Sequence, residues 1–216
     1  MLSEKGVSTS PDKVKAVRDY PTSKNVKDIR AFLGLASFYG RLVQDFATIS
    51  KPLTELTKDQ PFLWGPSQQK AFQSMKDKLC ATPVLSYPNF ELRFILTTDA
   101  LKIAVAAILS QKQISVERPI PYASRQMNKA EQAYTASEAE LLAFVWATKY
   151  FRCFLYGKQF LVRTDHAAPS YLRTFADANS RLMRWSLRLS EFDFIVEHRP
   201  GIEIKMSTYE ADMWSL

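Results

Sequence analysis

"FILTTDALKIAVAAILSQ", residues 94–111, is the stretch on which the reading of this chain turns. β-Branched and aliphatic residues dominate it, yet Asp99 stands in it as the single acid. The apolar runs "LRFILTTDA" and "IAVAAILSQ" read as two consecutive strands. A carboxylate within such an apolar strand is costly unless a partner compensates it. Two explanations are open: an acid at the frayed end of a strand, capping a turn, or a metal ligand. The stretch alone does not choose between them.

The flanking sequence supplies the partners. "RPIPYASRQM" reads as a third strand, close enough to the first two for an antiparallel meander. "NKAEQAYTASEAELLAFVWATKYFRCFLYG" reads as one long helix closed by Gly157, a favourable residue just past a helix end. Its aromatic run is expected to form core and a helix end. "KQFLVRTD" is a fourth strand ending at Asp165, "APSYLRTF" and "NSRLMRWSLRLSEF" are helical, and "DFIVEHRPG" is a fifth strand. The order βββ-αβ-α-αβ implies a five-stranded mixed sheet flanked by helices, an α/β (α+β) layer fold.

The residues before this sheet read differently. Ser10-Pro11-Asp12 opens a short helix, and "PTSKN" breaks it. Val26, Ile29, Phe32, Leu33, Ala36, Tyr39 and Leu42 recur at three and four residues, which is one amphipathic helix. "ISKPLTELT" gives a short helix with Ser50 as cap and Pro52 in its first turn. "FLWGPSQQKAFQSMKDKLCATP" gives another, with Ser67 as cap and Phe72, Met75 and Leu79 as its stripe. The division expected is a helical segment over residues 1–82 and the sheet domain over 83–216.

Composition agrees with a globular protein: hydrophobic residues make up 46% and charged residues 24% of 216. The net charge is +7, concentrated early: residues 1–90 carry 13 Lys/Arg against 8 Asp/Glu, residues 91–216 carry 16 against 14. A basic balance suits a polyanion such as nucleic acid. Cys80 and Cys153 belong to no CxxC pair and read as buried thiols of a reducing compartment, cytoplasmic or nuclear. No stretch resembles a signal peptide or a membrane span, so no membrane partner is expected.

Asp99 and Asp165 stand on strands that can be neighbours, and Glu140 borders the apolar face of the long helix beside Leu141, Leu142, Phe144 and Val145. Three converging carboxylates would repel one another without a cation. Hard oxygen donors favour Mg²⁺ or Mn²⁺.

These residues also carry a resemblance. "VRDYPTSKNVKDIRAFLGLASFYGRLVQDFATISKPLTELT", "FLWGPSQQKAFQSMKDKLCATPVL", "FILTTDA", "PIPYASRQMNKAEQAYTASEAELLAFVWATKYFRCFLYGKQFLVRTDH" and "EHRPG" occur in order. Together they resemble the C-terminal part of a gypsy-type LTR retrotransposon reverse transcriptase. The first resembles its helical thumb and connection, the second the linker, and the rest its ribonuclease H module. The resemblance implies a ribonuclease H-like fold and two-metal (Mg²⁺ or Mn²⁺) hydrolysis of the RNA strand of RNA–DNA hybrids. It also implies that Asp99, Glu140 and Asp165 are catalytic and hold the metal. The family position of Glu138 is a surface one.

Two departures from the family stand out. A fourth acid should follow "HRPG" near Thr208; the nearest acids are Glu210 and Asp212. Either a longer loop lets Asp212 act as a metal ligand or, the preferred reading, the site is incomplete. No apolar-Asp-Asp polymerase motif occurs in the sequence, so polymerisation would need a partner that carries the missing polymerase part. The alternative function is a weak or inactive nucleic-acid- or protein-binding relic of the same fold. Arg181, Arg184 and Arg188, spaced beside Trp185, and Lys24, Lys27 and Arg30, near the first long helix, are candidate nucleic-acid contacts. His166 is read as structural, and His198 as an inert residue of the edge strand.

Overall fold

The computed structural model describes residues 2–3, 6–7, 11–81, 85–164 and 180–198. The chain divides into two compact units, one of residues 1–87 and 121–126 and the other of 88–120 and 127–216.

The first unit holds α1 (Pro11–Arg18), α2 (Val26–Phe38), α3 (Phe46–Glu55) and α4 (Pro66–Cys80). The stripe on α2 is real: Ile29, Phe32 and Ala36 are 0% exposed. They join Phe72, Met75 and Leu79 of α4 in one apolar cluster. Phe32 lies at the cluster's centre, its ring 4.5 Å from that of Phe72 and 5.2 Å from that of Tyr20. Asn25 caps α2 by accepting the Asp28 N–H at 3.0 Å, and the Asp28 carboxylate in return accepts the Lys24 N–H at 3.0 Å.

Several helix boundaries differ from the sequence reading. α2 stops at Phe38, and Gly40–Leu42 is a separate 3₁₀ turn. There the Tyr39 N–H reaches Ala36 O and the Leu42 N–H reaches Tyr39 O, the tightened pattern of a helix end. α3 starts four residues before Ser50, so Ser50 is not its cap and Pro52 lies inside the helix. Asp45 starts it instead, in a left-handed conformation (φ 57°), with its carbonyl accepting the Ile49 N–H. Burial raises the Asp45 carboxyl above the ordinary range. The Ala47 N–H, which has no intrahelical acceptor at this helix start, donates to Ser124 Oγ at 2.9 Å. Ser67 does not cap α4 either: Gly65 does, with Pro66 in the first position and Gln68 Oε1 accepting the Gly65 N–H at 3.2 Å. Ser10 lies outside the described residues.

The mixed sheet comprises β1 (Phe94–Leu101), β2 (Ala104–Gln113), β3 (Val116–Gln126), β4 (Phe160–Thr164) and β5 (Phe194–His198). Their order is β3-β2-β1-β4-β5. β1 pairs antiparallel with β2 from Phe94↔Gln111 to Leu101↔Ala104. It pairs parallel with β4, Thr97 opposite Arg163, and β4 pairs parallel with β5. β1 is therefore central, hydrogen-bonded along both edges. This explains its unbroken apolar run: the residues from Phe94 to Thr98 are all buried.

A side chain shapes the approach to β1. Gln111 of β2 is 0% exposed. Its amide nitrogen donates to Asn89 O at 2.7 Å and Leu92 O at 3.0 Å, and its amide oxygen accepts the Asn89 N–H at 2.9 Å.

The long helix expected from residue 128 is divided. Glu131–Ala133 is a 3₁₀ turn, α5 spans Ala136–Tyr150, and α6 is the single turn Arg152–Leu155. Two capping boxes cause the division. Asn128 Oδ1 accepts the Glu131 N–H while Glu131 accepts the Asn128 N–H, both at 2.9 Å. Thr135 and Glu138 make the same exchange at the start of α5. Gly157 takes the expected positive φ, 77°, after α6. α5 packs on β1 and β2, and its Phe144 ring meets Phe194 of β5 at 5.0 Å. α7 (Ser180–Leu189) packs on α5. Of the aromatic run, Phe151 is buried whereas Tyr150 and Tyr156 are exposed. Neither cysteine is buried: Cys153 is exposed and Cys80 half-buried, both as free thiols. Cys80 ends α4, and the single turn of α6 faces Leu155 rather than Cys153 into the core. Among the described residues, no helix is long and apolar enough to cross a membrane.

The β2–β3 turn carries identifiable strain. Ile114 and Ser115 form a two-residue connection with φ 49° and 66°, and Ile114 is 97% exposed. Asn-Gly suits this geometry, and a β-branched residue does not. Ile114→Asn with Ser115→Gly is expected to stabilise the protein by about 1 kcal/mol, a rise of roughly 2–4 °C in a thermal melt. An unchanged or lower midpoint would contradict this account of the turn.

Candidate active site

Asp99 lies six residues into β1, half-buried, paired with Ala106 of β2. Glu140 lies on α5, 6% exposed. Its Oε1 accepts the N–H of Ala100, the residue after Asp99, at 3.0 Å. The helix thus presses a buried carboxylate against the central strand next to the strand's own acid. The local reason is the face of α5: Leu141, Ala143 and Phe144 sink its inner side into the unit, and Glu140 shares that burial. Thr98 and Thr164, at 1% and 3% exposure, supply buried hydroxyls on the neighbouring strands.

The expected set is only partly on view. Asp165, His166, Thr208, Glu210 and Asp212 lie outside the described residues. Among the described residues, no three His, Cys, Asp or Glu side chains gather as a metal site. Glu140 is bonded to the residue that follows Asp99, and both acids are hard oxygen donors of the kind Mg²⁺ or Mn²⁺ takes. The two carboxylates present fit such an ion as part of its ligand set.

Arg163, which the sequence reading passed over, is a half-buried charge on the sheet with two carboxylate partners. It stands on β4 opposite Thr97 and bonds to Glu197 of β5 at 2.6 Å and, more closely, to Glu117 of β3. Ser110 Oγ donates to the other oxygen of Glu117 at 2.6 Å. Burial works against the charged guanidinium, but the hydrogen bonds to Glu197 and Glu117 outweigh it and raise its pKa. The available signal was a charged residue alternating with apolar ones in an inner parallel strand.

Glu138, read as a surface residue, is also committed. Its Oε2 accepts both the backbone N–H of Thr135, at 3.0 Å, and its hydroxyl, at 3.1 Å; its Oε1 accepts from Arg181. Burial pushes its carboxyl up, but the bonds from Thr135 and Arg181 prevail and lower its pKa. The Thr-x-x-Glu spacing of a capping box was the signal for it.

The candidate nucleic-acid contacts fall into two groups. Arg184, Arg188, Lys24, Lys27 and Arg30 are exposed. Arg30 donates to Thr57 O at 3.2 Å. Arg181 is half-buried, its guanidinium 4.2 Å from the Tyr134 ring centroid and bonded to Glu138.

Comparison with known proteins gives this geometry a class. Residues 89–192 match the RNase H-like domain found in reverse transcriptase. The chain is 39% identical over 205 residues to the retrovirus-related Pol polyprotein from transposon 297 of Drosophila melanogaster, covering 94% of this chain and 19% of that polyprotein. It is 35% identical over 217 residues to that from transposon gypsy of the same organism, covering 94% and 21%. The Tf2-3 transposon polyprotein of Schizosaccharomyces pombe matches at 33% over 206 residues, 93% and 16%. Two solved structures share the fold. The foamy viral protease-reverse transcriptase in complex with RNA/DNA hybrid superposes with TM-score 0.80 at 18% identity, covering 93% of this chain and 28% of that one. The dRH form of that enzyme in complex with double-stranded DNA gives 0.79 at 17%, covering 92% and 36%. The sheet unit is thus an RNase H-like domain of the reverse transcriptase type. The chain is a homologue of the Pol polyproteins of gypsy-type retrotransposons, and it spans between 16% and 21% of the length of the relatives it matches.

Removing the central cation tests the Arg163 network. Arg163→Met leaves Glu117 and Glu197 without the charge they share and is expected to cost roughly 2 kcal/mol in urea unfolding, less than a fully buried pair because all three groups are partly wet. Glu117→Gln in that background should recover part of the loss. Full additivity of the two substitutions would show that Glu117 and Arg163 are not coupled.

Proposed function

We propose that the RNase H-like domain hydrolyses the RNA strand of RNA–DNA hybrids, leaving 3′-hydroxyl and 5′-phosphate ends, with Asp99, Glu140 and Asp165 as its acids. The observation that supports this most is the Glu140 carboxylate lodged against β1 at Ala100. A buried acid on a helix, bonded to the strand residue beside another acid, is costly in a folded core and is an arrangement that functional sites use. Asp165 enters through the sequence alone, as the acid of the "TDH" string that the family resemblance assigns to the site. The foamy viral neighbour bound to an RNA/DNA hybrid supports the same substrate class.

Asp99 would hold both divalent ions of such a site, Glu140 helping with one and Asp165 with the other. Mg²⁺ or Mn²⁺, when bound, supplies the Lewis acidity that polarises water and the scissile phosphate. The chain's own residues set the geometry. The Ala100 N–H orients Glu140, the β1–β2 ladder holds Asp99, and burial of α5 keeps bulk water from the inner carboxylate. Arg184, Arg188, Lys24 and Lys27 would engage nucleic-acid phosphates, a term that weakens steeply with salt. Polymerisation would fall to another part of the polyprotein.

Cleavage of a labelled RNA–DNA hybrid in Mg²⁺ tests the proposal. Asp99→Asn and Glu140→Gln should each lower the rate at least about 100-fold. Asp99→Asn should leave the metal-free melting point unchanged or raise it, because it relieves repulsion between like charges. Loss of stability with no loss of cleavage would make Asp99 a structural acid. For the fourth ligand we favour an incomplete site: weak cleavage in Mg²⁺, better in Mn²⁺, raised by Thr208→Asp and indifferent to Asp212→Asn. The opposite pattern would make Asp212 the ligand. Hybrid binding with no cleavage in either metal would favour the second reading, a binding relic, for which the sequence "IEIKMSTYEADMWSL" at the family's fourth-acid position is the supporting observation.

A further inference from the structure

The start of α5 is held from two sides. On its inner side, Glu140 bonds to the Ala100 N–H of β1. Glu138, two residues earlier, points roughly 200° around the helix from Glu140, to the opposite side. There it meets Arg181 of α7. The Arg181 guanidinium also lies 4.2 Å from the ring centroid of Tyr134, the residue just before the Thr135 cap, and 5.6 Å from that of Trp185. Trp185 is 7% exposed and meets Tyr134 edge-on at 5.9 Å. One side chain of α7 therefore grips the helix start at two points, residues 134 and 138.

The first turn of a helix is its weakest, since its N–H groups lack intrahelical acceptors. Glu140 stands one residue beyond that turn. Any fraying or rotation at the start of α5 would draw its carboxylate off the Ala100 N–H. Glu138 prevents this with one oxygen on Thr135 and the other on Arg181, so the capping box and the grip use separate atoms.

From this we infer that Arg181 is a positioning residue for the candidate active site: acting through Glu138 and Tyr134, it fixes the first turn of α5 so that Glu140 stays seated against β1 beside Asp99. This rests on the proposed role of Glu140. It gives Arg181 a different task from Arg184 and Arg188, whose side chains are exposed. A guanidinium is suited to it, because it can stack flat on an aromatic ring while donating along its edge; an ammonium can donate but not stack in this way.

The test uses the full chain, ¹⁵N-labelled, and reads the Ala100 amide by hydrogen exchange. Amides of Phe94–Leu96 serve as the control for global folding, and Glu140→Ala defines complete loss of the bond. Arg181→Gln should speed Ala100 exchange several-fold while the control amides hold. Glu138→Gln should do the same, the double variant should add little, and Arg181→Lys should restore part of the protection. In hybrid cleavage, Arg181→Gln should lower kcat while KM and its salt dependence stay within about twofold of wild type. Unchanged Ala100 exchange in Arg181→Gln overturns the inference, as does a raised KM with a reduced salt slope, the behaviour of a phosphate contact. Should the wild type not cleave hybrid, the functional proposal fails by that result, and the amide measurement still decides whether Arg181 seats Glu140.

Discussion

A strand with hydrogen-bonded neighbours on both edges cannot shift by one residue without breaking two ladders at once. β1 is that strand here, antiparallel to β2 and parallel to β4. Its register with β2 continues through Asp99 to Leu101. The carboxylate is thus carried by backbone still paired to β2, two residues past the last pair with β4, and Glu140 takes its bearing from the same backbone by bonding to the next N–H. Precision at the candidate site comes from sharing one rigid reference rather than from direct bonds between acids. This is how a cluster of like charges can be assembled without relying on its members to attract one another.

Much of this was legible in the sequence. The strands around Asp99, their order along the chain, the amphipathic face of α2 and the acids on β1 and α5 all follow from periodicity and from single charges in apolar runs. Asp165, singled out at the end of its strand, lies outside the described residues. What escaped were features set by capping and by long-range pairing. The split before α5 depends on two Asx/Thr-x-x-Glu exchanges inside a segment whose apolar pattern reads as continuous helix. The start of α3 depends on a left-handed Asp45, which leaves no mark in a hydrophobic pattern. Ser50 and Ser67 resembled caps by residue type, yet Ser50 Oγ donates to Ala47 O and Ser67 Oγ to Gln68 Oε1. Arg163 finds its partners 34 and 46 residues away, beyond the reach of any local rule.

Charge is distributed with a recognisable division of labour. The cations that sit partly inside the sheet unit, Arg163 and Arg181, are bonded to carboxylates, where leaving either partner alone would be costly. Arg184 and Arg188 remain exposed on α7, although Trp185 and Leu189 of the same helix are buried. Only charges of the second kind can exchange water for phosphate at little cost, which is why spacing alone, treating Arg181, Arg184 and Arg188 as one series, groups residues with different environments.

Gln111 has a consequence for the order in which the structure can form. The loop before β1 makes three of its main-chain hydrogen bonds to one amide side chain, contributed from 19 to 22 residues later in the chain. That amide is in place only after β2 has folded back along β1. The loop has a local turn of its own, Asn89 accepting the Glu91 and Leu92 N–H groups, but its seat on the sheet waits for the hairpin. Entry into the central strand is thus one of the last local conformations to be fixed, although it comes first along the chain.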